Sequence, residues 1–146
     1  MEVTSWTWVV AIGGVELMGL LGAMELIALV RPRERWTIEN VYGGDPDATD
    51  PTAYFAFNWG LAWADVVFWA PLQFAGSIAM LAGQRWGFAV ALMASVPFWY
   101  TAIPIFVWDK DLGFRQNTLT YWVIVWGMFP AYGVIEGIYC LIRLLE

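Results

Sequence analysis

Four acidic residues lie inside long apolar runs: Glu16 and Glu25 in the first, Asp65 in the second and Glu136 in the fourth. A carboxylate in hydrocarbon is costly unless it keeps its proton, so an acid such as Asp65 is expected to face the protein interior and to serve a site. Asp65 is the most telling, because it sits near the middle of the almost wholly apolar stretch from Tyr54 to Gly83, between Trp63 and Trp69. With a helical rise of about 1.5 Å per residue and each run's midpoint as the bilayer centre, Asp65 lies about 5 Å and Glu25 about 10 Å towards the first loop. Glu16 and Glu136 lie about 3 and 8 Å the other way. Two pairs at matching depth result, Glu25 with Asp65 and Glu16 with Glu136. Glu16 and Glu25 are half a helical turn out of phase and cannot both enter one narrow pocket without distortion. Glu25 and Asp65 are therefore the expected catalytic pair.

Two carboxyl groups in a dry pocket cannot both ionise cheaply, so one retains a proton that it can donate. Eleven tryptophans, nine phenylalanines and six tyrosines supply ring faces that attract cations. Acids and rings together suit an amine ligand or a carbocation. Trp6, Trp8, Trp36, Trp86 and Trp108 fall near run ends, where an interfacial belt explains them, which leaves Trp59, Trp63, Trp69, Trp99, Trp122 and Trp126 for pocket walls. With no histidine, imidazole metal and haem ligands and histidine relays are excluded; the only lysine, Lys110, lies at a helix end and offers no buried Schiff base. Cys140, the only cysteine, rules out an internal disulfide and is expected in the core. No cofactor or metal is expected.

The elements that must position these groups follow from composition. The chain has 146 residues, 60% of them hydrophobic and 14% charged, and a mean hydropathy of +0.59. Apolar runs at Trp6–Val30, Tyr54–Ala82, Trp86–Trp108 and Leu119–Leu145 predict an all-α integral membrane protein. It forms a single domain over 1–146, a four-transmembrane-helix bundle with kinked helices and one long loop after helix 1. The amino end has no positive n-region, and the run after it is too long for a signal peptide, so the first helix is expected to be retained. Helix 1 carries Gly13, Gly14, Gly19, Gly22 and Ala23, small residues that let another helix approach, and leaves the membrane at Arg31-Pro32-Arg33-Glu34-Arg35. In the loop, Trp36 to Tyr42 is expected to be a short extended piece turning at Gly43-Gly44. Asp45, Asp47 and Asp50 lack the terminal glutamate of a calcium loop and read instead as a helix start, with Asp50 as N-cap and Pro51 at the first helical position. Spacings of four, three and four put Asn58, Ala62, Asp65 and Trp69 on one face. Pro71, Pro97, Pro104 and Pro130 are expected to break three helices locally, Pro71 freeing the Val67 carbonyl and Pro130 that of Trp126. In helix 4, Gly133 and Gly137 form a small-xxx-small frame, and Tyr132, Glu136 and Tyr139 are spaced so that a tyrosine hydroxyl can hold the glutamate.

These residues resemble the EXPERA domain family, which includes the sigma-2 receptor and the emopamil-binding sterol isomerases. The likeness lies in Met24-Glu25-Leu26 leading to Pro32-Arg33-Glu34, in Asp65-Val66-Val67-Phe68-Trp69-Ala70-Pro71, and in Gly83-Gln84-Arg85-Trp86 through Ala102-Ile103-Pro104-Ile105 to the polar turn Asp109-Lys110-Asp111-Leu112-Gly113-Phe114. The resemblance implies a four-helix bundle with a lipid-open pocket for sterol-like or cationic amphiphilic molecules. Glu25 and Asp65 would be its ligand-facing acids, and Asp50 would organise the pocket mouth. The isomerases also use a histidine, which this chain lacks.

The expected function is membrane-embedded binding of a hydrophobic ligand, sterol- or isoprenoid-like and of cationic character, in an acidic and aromatic pocket, with proton-driven isomerase or cyclase activity as its catalytic form. The ligand-binding residues would be Asp50, Asn58, Trp69, Trp99, Tyr100, Trp126, Glu16 and Glu136. The alternative is a non-catalytic small subunit of a larger membrane complex; a third reading is a small transporter or proton path. The expected partners are the lipid bilayer, a hydrophobic small molecule, and either a second copy or a larger membrane complex. A net charge of −6 with no basic stripe argues against nucleic acid. The protein is expected to be multi-pass, in the endoplasmic reticulum if eukaryotic and otherwise in the cell membrane. Arg31, Arg33, Arg35, Lys110 and Arg115 against Arg85 and Arg143 favour both termini outside, whereas the resemblance implies both in the cytoplasm.

Overall fold

In a computed structural model, which describes residues 1–42, 51–111 and 119–146, the chain forms helices and, among these residues, no strand. Helix α1, Ser5–Val30, starts at Thr4, whose hydroxyl accepts from the Thr7 amide while the Thr7 hydroxyl accepts from that of Thr4. This reciprocal cap satisfies two amides that have no partner within the helix. Met18, Leu21, Glu25 and Ala28, at spacings of three, four and three, form part of its buried stripe.

The segment after α1 departs from expectation. Arg35–Asn40 is a short helix, α2, not an extended piece. Side chains close the turn locally: Arg35 Nε sits 2.7 Å from Glu39 Oε1 across one helical turn, and Asn40 Nδ2 donates to Trp36 O. The Thr37 hydroxyl donates to Arg31 O, and the amides of Val41 and Tyr42 both reach Thr37 O, which folds Tyr42 back towards the bundle. The turn at Gly43-Gly44, Asp45, Asp47 and Asp50 lie outside the described residues, as do Leu112-Gly113-Phe114 and Arg115.

Pro51 opens α3, Pro51–Ala64, which continues through a π-helical turn, Asp65–Trp69, into α4, Ala70–Leu81. Helix α5, Arg85–Tyr100, contains Pro97 and is separated from α6, Ala102–Asp111, by Thr101 alone. The last span repeats the device of the second: α7, Leu119–Tyr121, a π turn, Trp122–Met128, then α8, Phe129–Leu145. Both π turns come immediately before a proline near the start of the following helix, Pro71 or Pro130. A proline ring crowds the carbonyl four residues back and cannot bond to it. Widening the turn by one residue relieves the crowding, and the amides just before each proline accordingly reach back five residues, Ala70 to Asp65 O and Phe129 to Ile124 O. The expected breaks are thus wide turns in two spans and a one-residue interruption in the third.

Four helical stretches, Ser5–Val30, Phe55–Leu81, Arg85–Val107 and Trp122–Leu145, are long and apolar enough to cross a membrane. Helix α4 packs between α1 and α5, and α5 packs along α8. The α5–α8 seam is close: a Cβ on Gly133 would lie 2.5 Å from Phe98 Cβ and 2.9 Å from Ser95 O. One core cluster gathers Met18, Leu21, Trp69, Phe98 and Phe129; a second gathers Val10, Met80, Phe88 and the buried Cys140.

Candidate functional site

A cavity lies at the loop-1 end of the bundle, where the two π turns face it. Helix α1 contributes Glu25 between Leu21 and Met24, and the second span contributes Asn58, Leu61, Asp65 and Trp69. The end of α2 adds Asn40 and Tyr42, the third span Phe98, Thr101 and Ile105, and the fourth Tyr121, Ile124 and Phe129. The space open to the centre of a water molecule is about 70 Å³. A water needs roughly 10–15 Å³ measured that way, so the cavity as it stands admits several waters or a slender chain. A bulky ring system would require the walls to part.

Glu25 is 92% buried, with an exposure of 8%. Among the described residues, its Oε2 has no hydrogen-bond partner. Asp65 lines the same cavity. Tyr42 lies near enough for Glu25 to act on its phenol, which is pushed up to about 12, first by burial and then by the carboxyl; it is a neutral hydroxyl at physiological pH. The Thr101 hydroxyl donates to Pro97 O at 2.6 Å, leaving its lone pairs for the cavity. No described Lys or Arg lines the cavity. The nearby arginines are engaged elsewhere, Arg31 with Glu34, Arg35 with Glu39, and Arg33 over the Phe55 ring at 4.9 Å. The site is therefore rich in acceptors, carries two acids and has apolar walls. It is suited to a hydrophobic molecule that donates hydrogen bonds or carries positive charge.

The floor is aromatic. The Trp69 ring meets that of Phe98 edge-on, with centroids 4.5 Å apart, and its Nε1 donates to Ala94 O at 2.8 Å; Phe98 in turn touches Phe129 and Tyr132. Beneath it lies a second buried polar cluster. Glu136, with 0% exposure, accepts from Gln73 Nε2 at 2.6 Å, and the Tyr132 hydroxyl lies 2.9 Å from the same Oε1 and 2.8 Å from Val10 O. A Cβ on Gly14 would collide with both Gln73 Nε2 and the Tyr132 hydroxyl, so a larger residue there would have to push these two side-chain ends aside. Tyr132→Phe should destabilise the bundle by about 1 kcal/mol, the usual net worth of a buried hydrogen bond, since Glu136 Oε1 keeps its bond from Gln73. Thermal unfolding in detergent measures it, and an unchanged midpoint would mean that the hydroxyl is replaceable.

The expected pairs fare differently. Glu25 and Asp65 come together, with Asn58 and Trp69 on the same wall. Glu16 and Glu136 do not meet: Glu136 is buried against Gln73 and Tyr132, while Glu16 is exposed on the opposite face of α1 from Glu25. Matching depth does not fix the direction in which a helix face points. Trp99 and Tyr100 are exposed and line no part of the cavity, because one and two residues after the buried Phe98 they are turned roughly 100° and 200° away. Trp126 packs against Trp122 and Phe106, outside the cavity lining. Asp50 lies outside the described residues. Of the tryptophans expected as walls, Trp69 lines the cavity, while Trp59, Trp63 and Trp122 are exposed. Sequence reasoning missed Tyr42, Thr101 and Tyr121, and also Gln73. Only Gln73 left a signal, two turns after Asp65 on one face.

Comparison with family models, with curated proteins and with solved structures found no match to this chain.

Proposed function

We propose that this is a multi-pass membrane protein whose loop-side cavity binds a hydrophobic molecule with a cationic or hydrogen-bond-donating head, the head meeting Glu25 and Asp65 and the body lying against Trp69, Phe98 and Phe129. One observation carries the reading: a buried carboxylate oxygen with no partner among the described residues, beside a second acid, in a cavity that no described cation lines. A buried acceptor left unpaired is expensive, so a donor supplied by a ligand stabilises it. The narrow cavity favours a slender isoprenoid or alkyl body over a rigid sterol. The same two acids are those that the EXPERA resemblance assigns to the ligand.

The catalytic form of this proposal is an isomerisation or cyclisation. A protonated Asp65 or Glu25 would add its proton to an alkene carbon, and the remaining carboxylate and ring faces would stabilise the cation. Loss of a proton from a neighbouring carbon to carboxylate would complete the step with no net change in protons. Asp65→Asn should then abolish turnover while leaving the fold intact.

The binding reading is tested with three probes of equal chain length, dodecylamine, dodecanol and dodecanoate, against the purified protein in vesicles. The amine should bind tightest and the carboxylate weakest. Equal binding of all three, or preference for the carboxylate, would overturn the reading.

A further inference from the structure

Glu16 has no role in that cavity, and its surroundings assign it another. It lies in the middle of a continuous exposed seam along α1: Val9, Ile12, Glu16, Gly19, Ala23, Leu26 and Val30, at spacings of three and four throughout. That alternation is the pattern by which one helix presents a face to another. No element of the described chain covers it. In a bilayer Glu16 would sit about 3 Å from mid-depth, roughly 12 Å short of the nearer hydrocarbon edge, so its side chain cannot reach water. The seam is also open to a close neighbour. A Cβ on Gly19 would touch nothing within 4 Å, and a groove of about 360 Å³ runs beside it between α1 and the second span, walled by Gly22, Val66, Pro71 and Phe74.

We propose that this seam receives a transmembrane helix of another polypeptide that carries a lysine or arginine near mid-bilayer, paired with Glu16. Charge complementarity selects this occupant. A second copy related by a twofold axis along the bilayer normal would place Glu16 against Glu16. Among the described residues, the basic side chains Arg31, Arg33, Arg35, Arg85, Lys110 and Arg143 all lie outside the spans or at their ends and cannot meet Glu16 at its depth. The proposal rests on the membrane-spanning reading and is independent of any ligand in the cavity.

The test reconstitutes the labelled chain in phosphatidylcholine vesicles with synthetic single-span leucine–alanine helices that carry either lysine or leucine at the centre, and follows association by energy transfer. The lysine helix should associate at least about tenfold more tightly than the leucine helix, and the preference should vanish in Glu16→Leu. Gly19→Leu, which fills the seam and leaves the charge in place, should weaken the lysine helix as well. A lysine helix that binds no better than leucine, or a preference that survives Glu16→Leu, would overturn the proposal. So would energy transfer between two labelled copies of this chain that is lost in Glu16→Leu, since the seam would then belong to a second copy. Flotation of the chain with the vesicles after an alkaline wash reports insertion separately, so a failure of the membrane reading is distinguishable.

Discussion

Glu25→Gln is expected to bind dodecylamine at least about tenfold more weakly than the unaltered chain, with dodecanol affinity held within about twofold. Glutamine keeps the shape and one acceptor oxygen while removing the charge, so the substitution isolates the charged contact. A hydrogen bond to an ionised partner is worth about 1.5–3 kcal/mol, which corresponds to roughly ten- to hundredfold in affinity. Because Glu25 is buried with Oε2 unpartnered among the described residues, the amine would meet it out of water, where screening is weak. Parallel loss of amine and alcohol binding would make Glu25 a support of the cavity wall. Undiminished amine binding would place the cationic head elsewhere.

The second large effect concerns the bundle itself. Gly133→Ala should destabilise the protein by about 2–3 kcal/mol, because overpacking a seam that cannot yield costs about that much. The added methyl would lie 2.5 Å from Phe98 Cβ and 2.9 Å from the Ser95 carbonyl, and backbone cannot swing aside as a side-chain tip does. Phe98 is also a wall of the cavity, so the same change should loosen ligand binding. Gly19→Ala, where nothing lies within 4 Å, is the matched control and should leave stability unchanged within about 0.5 kcal/mol. Unfolding midpoints of both variants in one detergent decide the matter. Equal midpoints would show that α5 and α8 can separate freely.

The four spans were legible because hydrophobic runs of that length have few alternative readings, and their observed ends fall within a few residues of those expected from composition. The opposition of Glu16 and Glu25 was legible for a similar reason: nine residues on a helix is half a turn, whatever surrounds it. What stayed hidden depends on how helices rotate against each other and on how a proline is accommodated. Pro71 announces a missing amide hydrogen, but not whether the chain kinks or widens into a π turn at Asp65–Trp69. Depth pairs Glu136 with Glu16, which it does not meet; its local partner Tyr132 was legible in the i, i+4 spacing, whereas Gln73 stands 63 residues away on a neighbouring helix. Trp99, Tyr100 and Trp126 have the rings a pocket wall needs, but a ring type carries no information about which way its helix is turned. Tyr42 reaches the cavity through a short helix, where the Val41 and Tyr42 amides bond to Thr37 O and the Thr37 hydroxyl to Arg31 O, a path that no periodicity reveals.

The central claim, an acid-lined cavity that holds a hydrophobic molecule, is tested most directly by native mass spectrometry with lipid extraction on the purified protein, comparing the unaltered chain with Asp65→Asn. The account predicts a discrete hydrophobic molecule, slender and bearing a donor or cationic head, retained by the unaltered chain and lost from the variant. A folded protein that carries no such molecule in either form, or the same molecule in both, would contradict it.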